Sequence, residues 1–249
     1  MRNYLAAAAA FAAVIAIVVV FTPGAVAATR TVCPPGGASD TTFNGGLLVT
    51  GNNYCLLDHV TVNGGVTVDG GSDVDLENST VNDGVNVTPG GEIEVDLGSI
   101  FGGTPTFSTV NGGIILNNPV DWDIETAHIS GGVTVNTATS EFPTFCGNTV
   151  IGNVSMRNVS VDVTYFGDPV DEFFECGGNT ISGSLSISNS SFLEVEANTV
   201  NGSVSLSSST LEFNGNTIGG SLSCSNGTVI VPGQPGDPSG NTVRGANTC

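Results

Sequence analysis

The chain has 249 residues and a formal net charge of −19, from four Lys+Arg against 23 Asp+Glu. Its four cations are Arg2, Arg30, Arg157 and Arg244, too few to neutralise a run of phosphates, so nucleic-acid binding is excluded and an anionic membrane surface is disfavoured. Six Cys without zinc-site spacing read as three disulfides of an exported chain.

Taken in chain order, the first segment is a targeting signal. Arg2 supplies a positive start, Leu5 to Phe21 is an unbroken apolar run, and Ala25-Val26-Ala27 matches a small-x-small cleavage site. Residues 1–28 are therefore expected to be a signal peptide, cut after Ala27 or Ala28, which takes the formal charge from −19 to −20 by removing Arg2. The mature chain is expected to be exported, with no membrane insertion after cleavage. Residues 29–42, Pro- and Gly-rich and containing Cys33, read as an N-terminal cap segment, and residues 43–249 as one β-solenoid domain.

The solenoid follows from aligning the chain on itself. Val62-Asn63-Gly64-Gly65-Val66-Thr67-Val68 recurs with the same shape from Phe43, Val81 and Val110, and again from Ile129, Val150, Ile181, Val200, Ile218 and Val243. Successive starts are 19, 19, 29, 19, 21, 31, 19, 18 and 25 residues apart, a base step of 18–19 with insertions. Columns of the repeat stay apolar: the starting residue; Leu47, Val66, Val85, Ile114 and their successors; and Val49, Val68, Val87, Leu116 through Cys224 to Cys249. Alternate residues between them are polar, the period of a strand with one face buried. A second strand in each coil has its own inward pairs, read as Cys55/Leu57, Val74/Leu76, Ile93/Val95, Trp122/Ile124, Val161/Val163, Leu193/Val195, Leu211/Phe213 and Val229/Val231. The fold class is thus all-β: a parallel β-helix of about ten coils, in which one coil cannot bury its face alone and stacking supplies the core. The irregular period points to the right-handed form. Thr61, Thr80, Thr109 and later Thr residues form a ladder, with Asn148, Asn179, Asn198, Asn216 and Asn241 just before it at the corner. Stacked carboxamides there are expected to satisfy buried polar groups.

The register pairs the cysteines. Cys224 and Cys249 share a column one coil apart, and the spacing of parallel strands suits a disulfide. Cys33 with Cys55 would clamp the N-terminal cap, and Cys146 with Cys176 would anchor the insertion Tyr165–Cys176.

The run Asn216-Thr217-Ile218-Gly219-Gly220-Ser221-Leu222-Ser223-Cys224, then Pro-rich Val231–Ser239, then Asn241-Thr242-Val243 to Cys249, resembles the C-terminal part of exported actinobacterial proteins of unassigned function. In that group NT[VI]xGxLxC repeats close on a Gly/Pro loop and a terminal Cys. The resemblance spans about the last 100 residues and implies export and a solenoid, with no activity attached. The coil also resembles that of bactofilin-type β-helices, in architecture only, since those lack a signal peptide and disulfides.

Two outer surfaces are candidates for function. The second strand carries Asp73/Asp75/Glu77, Glu92/Glu94/Asp96 and Asp121/Asp123/Glu125. Their middle members Asp75, Glu94 and Asp123 form one column, expected to continue through Asp162, Glu194 and Glu212. Like charges about 5 Å apart repel by roughly 0.8 kcal/mol in water and about 3 kcal/mol at an effective dielectric of 20. No Lys offsets them, so Asp75, Glu94 and Asp123 are the candidate metal ligands and Ca²⁺ the candidate ion; a solvated face that blocks aggregation is the alternative. The first strand instead presents serines, with Ser186, Ser205 and Ser223 as a candidate face for polysaccharide or ice. A polysaccharide-active enzyme on the acidic face, with Tyr165–Cys176 as a lid, is a further alternative, since glycosidases need a spaced pair of carboxylates. His59 and His128 fall too far apart in the repeat to act together, and Arg157 is the only basic residue near mid-chain. The function these features favour is a non-enzymatic exported or cell-surface module of structural or adhesion type, whose partners would be divalent cations, extracellular polysaccharide, or further copies stacked end to end.

Overall fold

Apolar residues at every second position, with glycine or asparagine at the corners, give a three-sided prism. The computed structural model describes residues 30–96, 107–138, 143–167, 177–233 and 240–249, and of 161–163 the backbone alone. Residues 1–29, including the expected signal peptide, lie outside the described residues. The chain winds into a β-solenoid of about nine turns, built wholly of parallel strands.

Each turn contributes one strand to each of three faces. Among the described residues the short face has ten strands from Thr42–Phe43 to Thr242–Val243, nine turns apart from first to last, and its register joins Phe43, Val62, Val81, Val110, Ile129, Val150, Ile181, Val200, Ile218 and Val243 in the column the repeat predicted. A hydroxyl face runs from Thr31–Val32 through Leu47–Val49 to Leu222–Ser225. An acidic face runs from Ala38–Ser39 through Tyr54–Asp58 and Asp73–Glu77 to Val229–Val231. One long strand, Val154–Phe166, turns the corner and belongs to both. The segment expected as a cap is itself strand-forming, with Thr31 beside Leu47 and Ala38 beside Leu57.

The core is the prism's axis. Inward columns from all three faces are almost fully enclosed, and its largest buried side chains are Trp122, Phe145, Phe166 and Phe213. Each buried aliphatic or aromatic side chain contributes about 1.5–3 kcal/mol before conformational entropy is set against it. Phe145 and Phe166 stack with centroids 4.8 Å apart at 15°. They fill the inward column where the aliphatic pattern lapses, which is why the prism passes through that irregular coil without a break.

Two expected registers shift by one or more residues. Thr164 and Phe166, not Val161 and Val163, occupy the inward positions opposite Leu193 and Val195, because a bulge between Ser160 and Thr164 absorbs residues 161–163. At the C-terminal end Ile230 sits opposite Leu211, so Val229 and Val231 point outward instead of inward. Among the described residues no strand pairs with the other edge of this last strand, and all three of its residues are exposed.

The corners explain the small and amide residues. Asn148, Asn179, Asn198, Asn216 and Asn241 stack as a continuous ladder, each Nδ2 donating to the next Oδ1 at 2.9–3.0 Å. Each Nδ2 also donates to a carbonyl of the acidic face, such as Phe145 or Phe166. Ser79 and Ser108 occupy the same place in the early coils: Ser79 accepts from the Val60 N–H at 2.9 Å and donates to Leu57 O at 2.7 Å. That serine extension escaped the sequence reading, because a hydroxyl before threonine is too common to signal a ladder. Where the chain leaves the acidic face, successive turns use the left-handed region at His59, Asn78, Thr126, Gly147, Gly167, Ala197 and Gly215.

Disulfides close the prism near both ends. Cys33 and Cys55 are joined with Cα atoms 6.2 Å apart, and Cys224 and Cys249 with Cα atoms 4.9 Å apart. Cys146 is also disulfide-bonded; its expected partner Cys176 and most of the insertion it would anchor lie outside the described residues.

Candidate functional site

Alternation is what builds the acidic surface. On the strands Asp73–Glu77, Glu92–Asp96 and Asp121–Glu125, the even members (Val74 and Leu76, Ile93 and Val95, Trp122 and Ile124) fill the core. The odd members are all carboxylates and must face outward. The register aligns Asp73, Glu92 and Asp121 in one column and Asp75, Glu94 and Asp123 in the next, as expected.

The column then departs from the expected course. After Asp123 it continues through Thr144, Tyr165, Glu194 and Glu212. Tyr165 takes the place assigned to Asp162, whose residue lies within the bulge. Thr144 interrupts the charges usefully: its hydroxyl bridges Asp123 Oδ1 at 2.8 Å and Glu125 Oε1 at 2.9 Å, and its backbone N–H also donates to Asp123.

Environment separates these carboxylates sharply. Asp75 is only 5% exposed, whereas Glu94, the next residue in its column, is exposed. The Tyr54 hydroxyl, one coil earlier, donates to Asp75 Oδ2 at 2.9 Å. The other oxygen, Oδ1, is buried without a hydrogen-bond donor. Burial pushes Asp75 up to about 6 against the lowering effect of Tyr54, with Asp96, Glu77 and Asp73 adding repulsion. Glu94 is pushed up to about 7 by loss of hydration on the crowded face and then by Asp75, Asp96, Asp123 and Asp73. Burial followed by neighbouring charge also raises Asp73; it raises Glu125 as well, partly opposed there by the Thr144 hydrogen bond. The Tyr54 phenol is raised in turn by partial burial and its bond to Asp75, which keeps it a donor.

The closest group of ligand atoms differs from the expected triad. Oxygens of Asp75, Glu77 and Asp96 all lie within 4.8 Å of one another, and Glu94 and Asp123 are outside that group. The reason is geometric: the expected triad runs straight up one column across three coils, while Glu77 is paired with Asp96 in the adjacent column and Asp75 is two residues away on the same face. A compact triangle therefore spans only two coils.

The serine surface is partly committed to the fold. Ser184, Ser203 and Ser221 accept backbone N–H groups from the following coil at 3.1–3.2 Å. Ser186, Ser205 and Ser223 stay in register, outward and exposed, as the sequence predicts. Earlier in the same column stand Leu48, Thr67, Asn86 and Ile115, so the uninterrupted hydroxyl run begins at Thr134 and Ser155. The two histidines are apart: His59 sits at a corner with its Nδ1 2.6 Å from Asp58 Oδ1, and His128 stands in the threonine column, stacked on Phe107 with centroids 4.7 Å apart. Among the described residues no helix is long and apolar enough to cross a membrane. The chain matches no protein-family model, no curated protein and no solved structure.

Proposed function

We propose that the chain is a non-enzymatic, exported structural or adhesion module: a rigid disulfide-closed prism that displays an acidic face and a hydroxyl face. The observation that carries this reading is the periodicity of its outward chemistry. Carboxylates recur at the same three positions on consecutive coils, and serines at the same positions on others. A ladder of chemically repeated groups suits multivalent contact along a rod, whereas hydrolysis uses one carboxylate pair at a set separation at a single point. Disulfides at Cys33–Cys55 and Cys224–Cys249 fit an oxidising, extracellular setting. The signal peptide expected over residues 1–28 supports the same destination.

The test is prolonged incubation of the purified chain with a panel of acidic and neutral polysaccharides, reading new reducing ends and unsaturated sugar ends. The expected result is no product above the buffer blank. Turnover that disappears in a single carboxylate variant, such as Glu94→Gln, would overturn the reading and make the acidic face an active site.

A further inference from the structure

We propose that Asp75, Glu77 and Asp96 form a specific binding site for one calcium ion, which ties two adjacent coils of the acidic face together. This rests on reading that face as a structural surface and names the ligand it takes.

Three observations meet at this point. The first is the compactness of the group, whose ligand oxygens all lie within 4.8 Å of one another. Two oxygens bound to one Ca²⁺ at 2.3–2.6 Å are at most about 5 Å apart, so one ion reaches all three carboxylates with little movement. Magnesium, at 2.0–2.1 Å, allows at most about 4.2 Å and insists on near-octahedral geometry.

The second observation is the buried oxygen. Asp75 is 95% enclosed, on the basis of its 5% exposure, and its Oδ1 has no donor, although Tyr54 satisfies Oδ2. An ionised oxygen withdrawn from water with no compensating contact is costly, and buried charges are normally paired or metal-bound. Tyr54 also anchors the carboxylate through Oδ2, leaving Oδ1 as the oxygen without a donor.

The third is that no cation among the described residues lies at the site. The chain contains no Lys, and among the described residues Arg157 is on the hydroxyl face, Arg244 follows Val243 at the end of the short face, and Arg30 lines a glycine-walled furrow beside Gly46 and Gly65. Among the described residues no cation or donor reaches Asp75 Oδ1, which leaves its compensation to an outside source. The two sources are a metal ion and a proton, because a protonated Asp75 can donate to a neighbouring carboxylate. They predict opposite behaviour with pH, as the proton fills the site in acid and the ion fills it at neutral pH and above.

The experiment is calorimetric titration of CaCl₂ into EDTA-stripped, disulfide-intact protein in physiological NaCl, at about pH 8 and about pH 5, with MgCl₂ as the comparison ion. Asp75→Asn, Glu77→Gln and Asp96→Asn are compared with Glu92→Gln, which removes the same charge from the same face outside the triangle. The expected result is one Ca²⁺ per chain near pH 8. Binding should weaken at least about tenfold in each triangle variant, little in Glu92→Gln, and for the wild type at about pH 5. Asp75→Asn is isosteric and removes the buried charge, so its metal-free form should melt at or above the wild type; if it fails to fold, Glu77→Gln and Asp96→Asn decide the matter. Absence of saturable binding near pH 8 overturns the site. Equal weakening by Glu92→Gln also overturns it, in favour of a diffuse ion cloud, and stronger uptake of Mg²⁺ than Ca²⁺ overturns the assignment to calcium. None of these results touches the polysaccharide assay, so loss of the site and loss of the non-enzymatic reading remain distinguishable.

Discussion

Asn198 gives the most quantitative test of how the corners hold. It is fully buried, and its side chain makes four hydrogen bonds. Oδ1 accepts the Asn179 N–H at 3.0 Å and the Asn179 Nδ2 at 2.9 Å, while Nδ2 donates to Phe166 O at 2.9 Å and to Asn216 Oδ1 at 3.0 Å. At about 1 kcal/mol net for each bond, Asn198→Ala should destabilise the chain by about 4 kcal/mol. Asn198→Ser should cost about half as much. A serine at this position keeps one N–H acceptor and one carbonyl donor contact, as Ser79 does with Val60 and Leu57, and loses only the two amide–amide bonds. Guanidinium denaturation of wild type and both variants, under oxidising conditions, reads the difference from the midpoints. The reasoning is refuted if the Ala and Ser variants are equally stable, or if Asn198→Ala costs less than about 1 kcal/mol.

Two further perturbations test other parts of the prism. Replacing both Cys224 and Cys249 by Ala opens a disulfide with a sequence separation of 25, a loss of about 3.5 kcal/mol in the chain-entropy treatment. Because coils are stabilised mainly by neighbours, hydrogen exchange should show faster exchange confined to the last coils, and uniform acceleration along the chain would contradict that picture. The acidic face predicts an inverted pH dependence for the metal-free protein. Asp75 at about 6 and Glu94 at about 7 bind protons in the folded state that the unfolded chain releases down to about pH 4. Stability should therefore rise as pH falls from about 8 towards 5, and a melting temperature in EDTA that falls over that range would contradict the assignment.

The sequence made the fold legible wherever one residue type recurred at one position. The column from Phe43 to Val243, the disulfide Cys224–Cys249 and the alignment of Asp75, Glu94 and Asp123 follow from the aligned repeat, and Cys33–Cys55 from the place of Cys33 in the segment just before the first full coil. It misled where the chain changes length within a coil. The residues 161–163 alternate as a strand should, yet a bulge removes them from the register and puts Thr164 inside, opposite Leu193. An inward threonine with 0% exposure is not a choice that hydropathy anticipates. The terminal strand misled for a different reason, since Val229, Ile230 and Val231 are all apolar and carry no alternation to fix the phase. The acidic triangle needed coordinates. Sequence columns run along the prism, whereas the closest carboxylates lie diagonally, and burial of Asp75 depends on Tyr54 from the preceding coil.

The measurement that bears most directly on the account is a thermal melt of the disulfide-intact mature chain, first in EDTA and then in millimolar Ca²⁺, each at matched ionic strength in NaCl. The account predicts a higher melting temperature with calcium, corresponding to about 2.7 kcal/mol when the free ion exceeds its dissociation constant a hundredfold. An identical melt in calcium and in the sodium control would contradict it and leave the acidic face as a solvated surface without a resident ion.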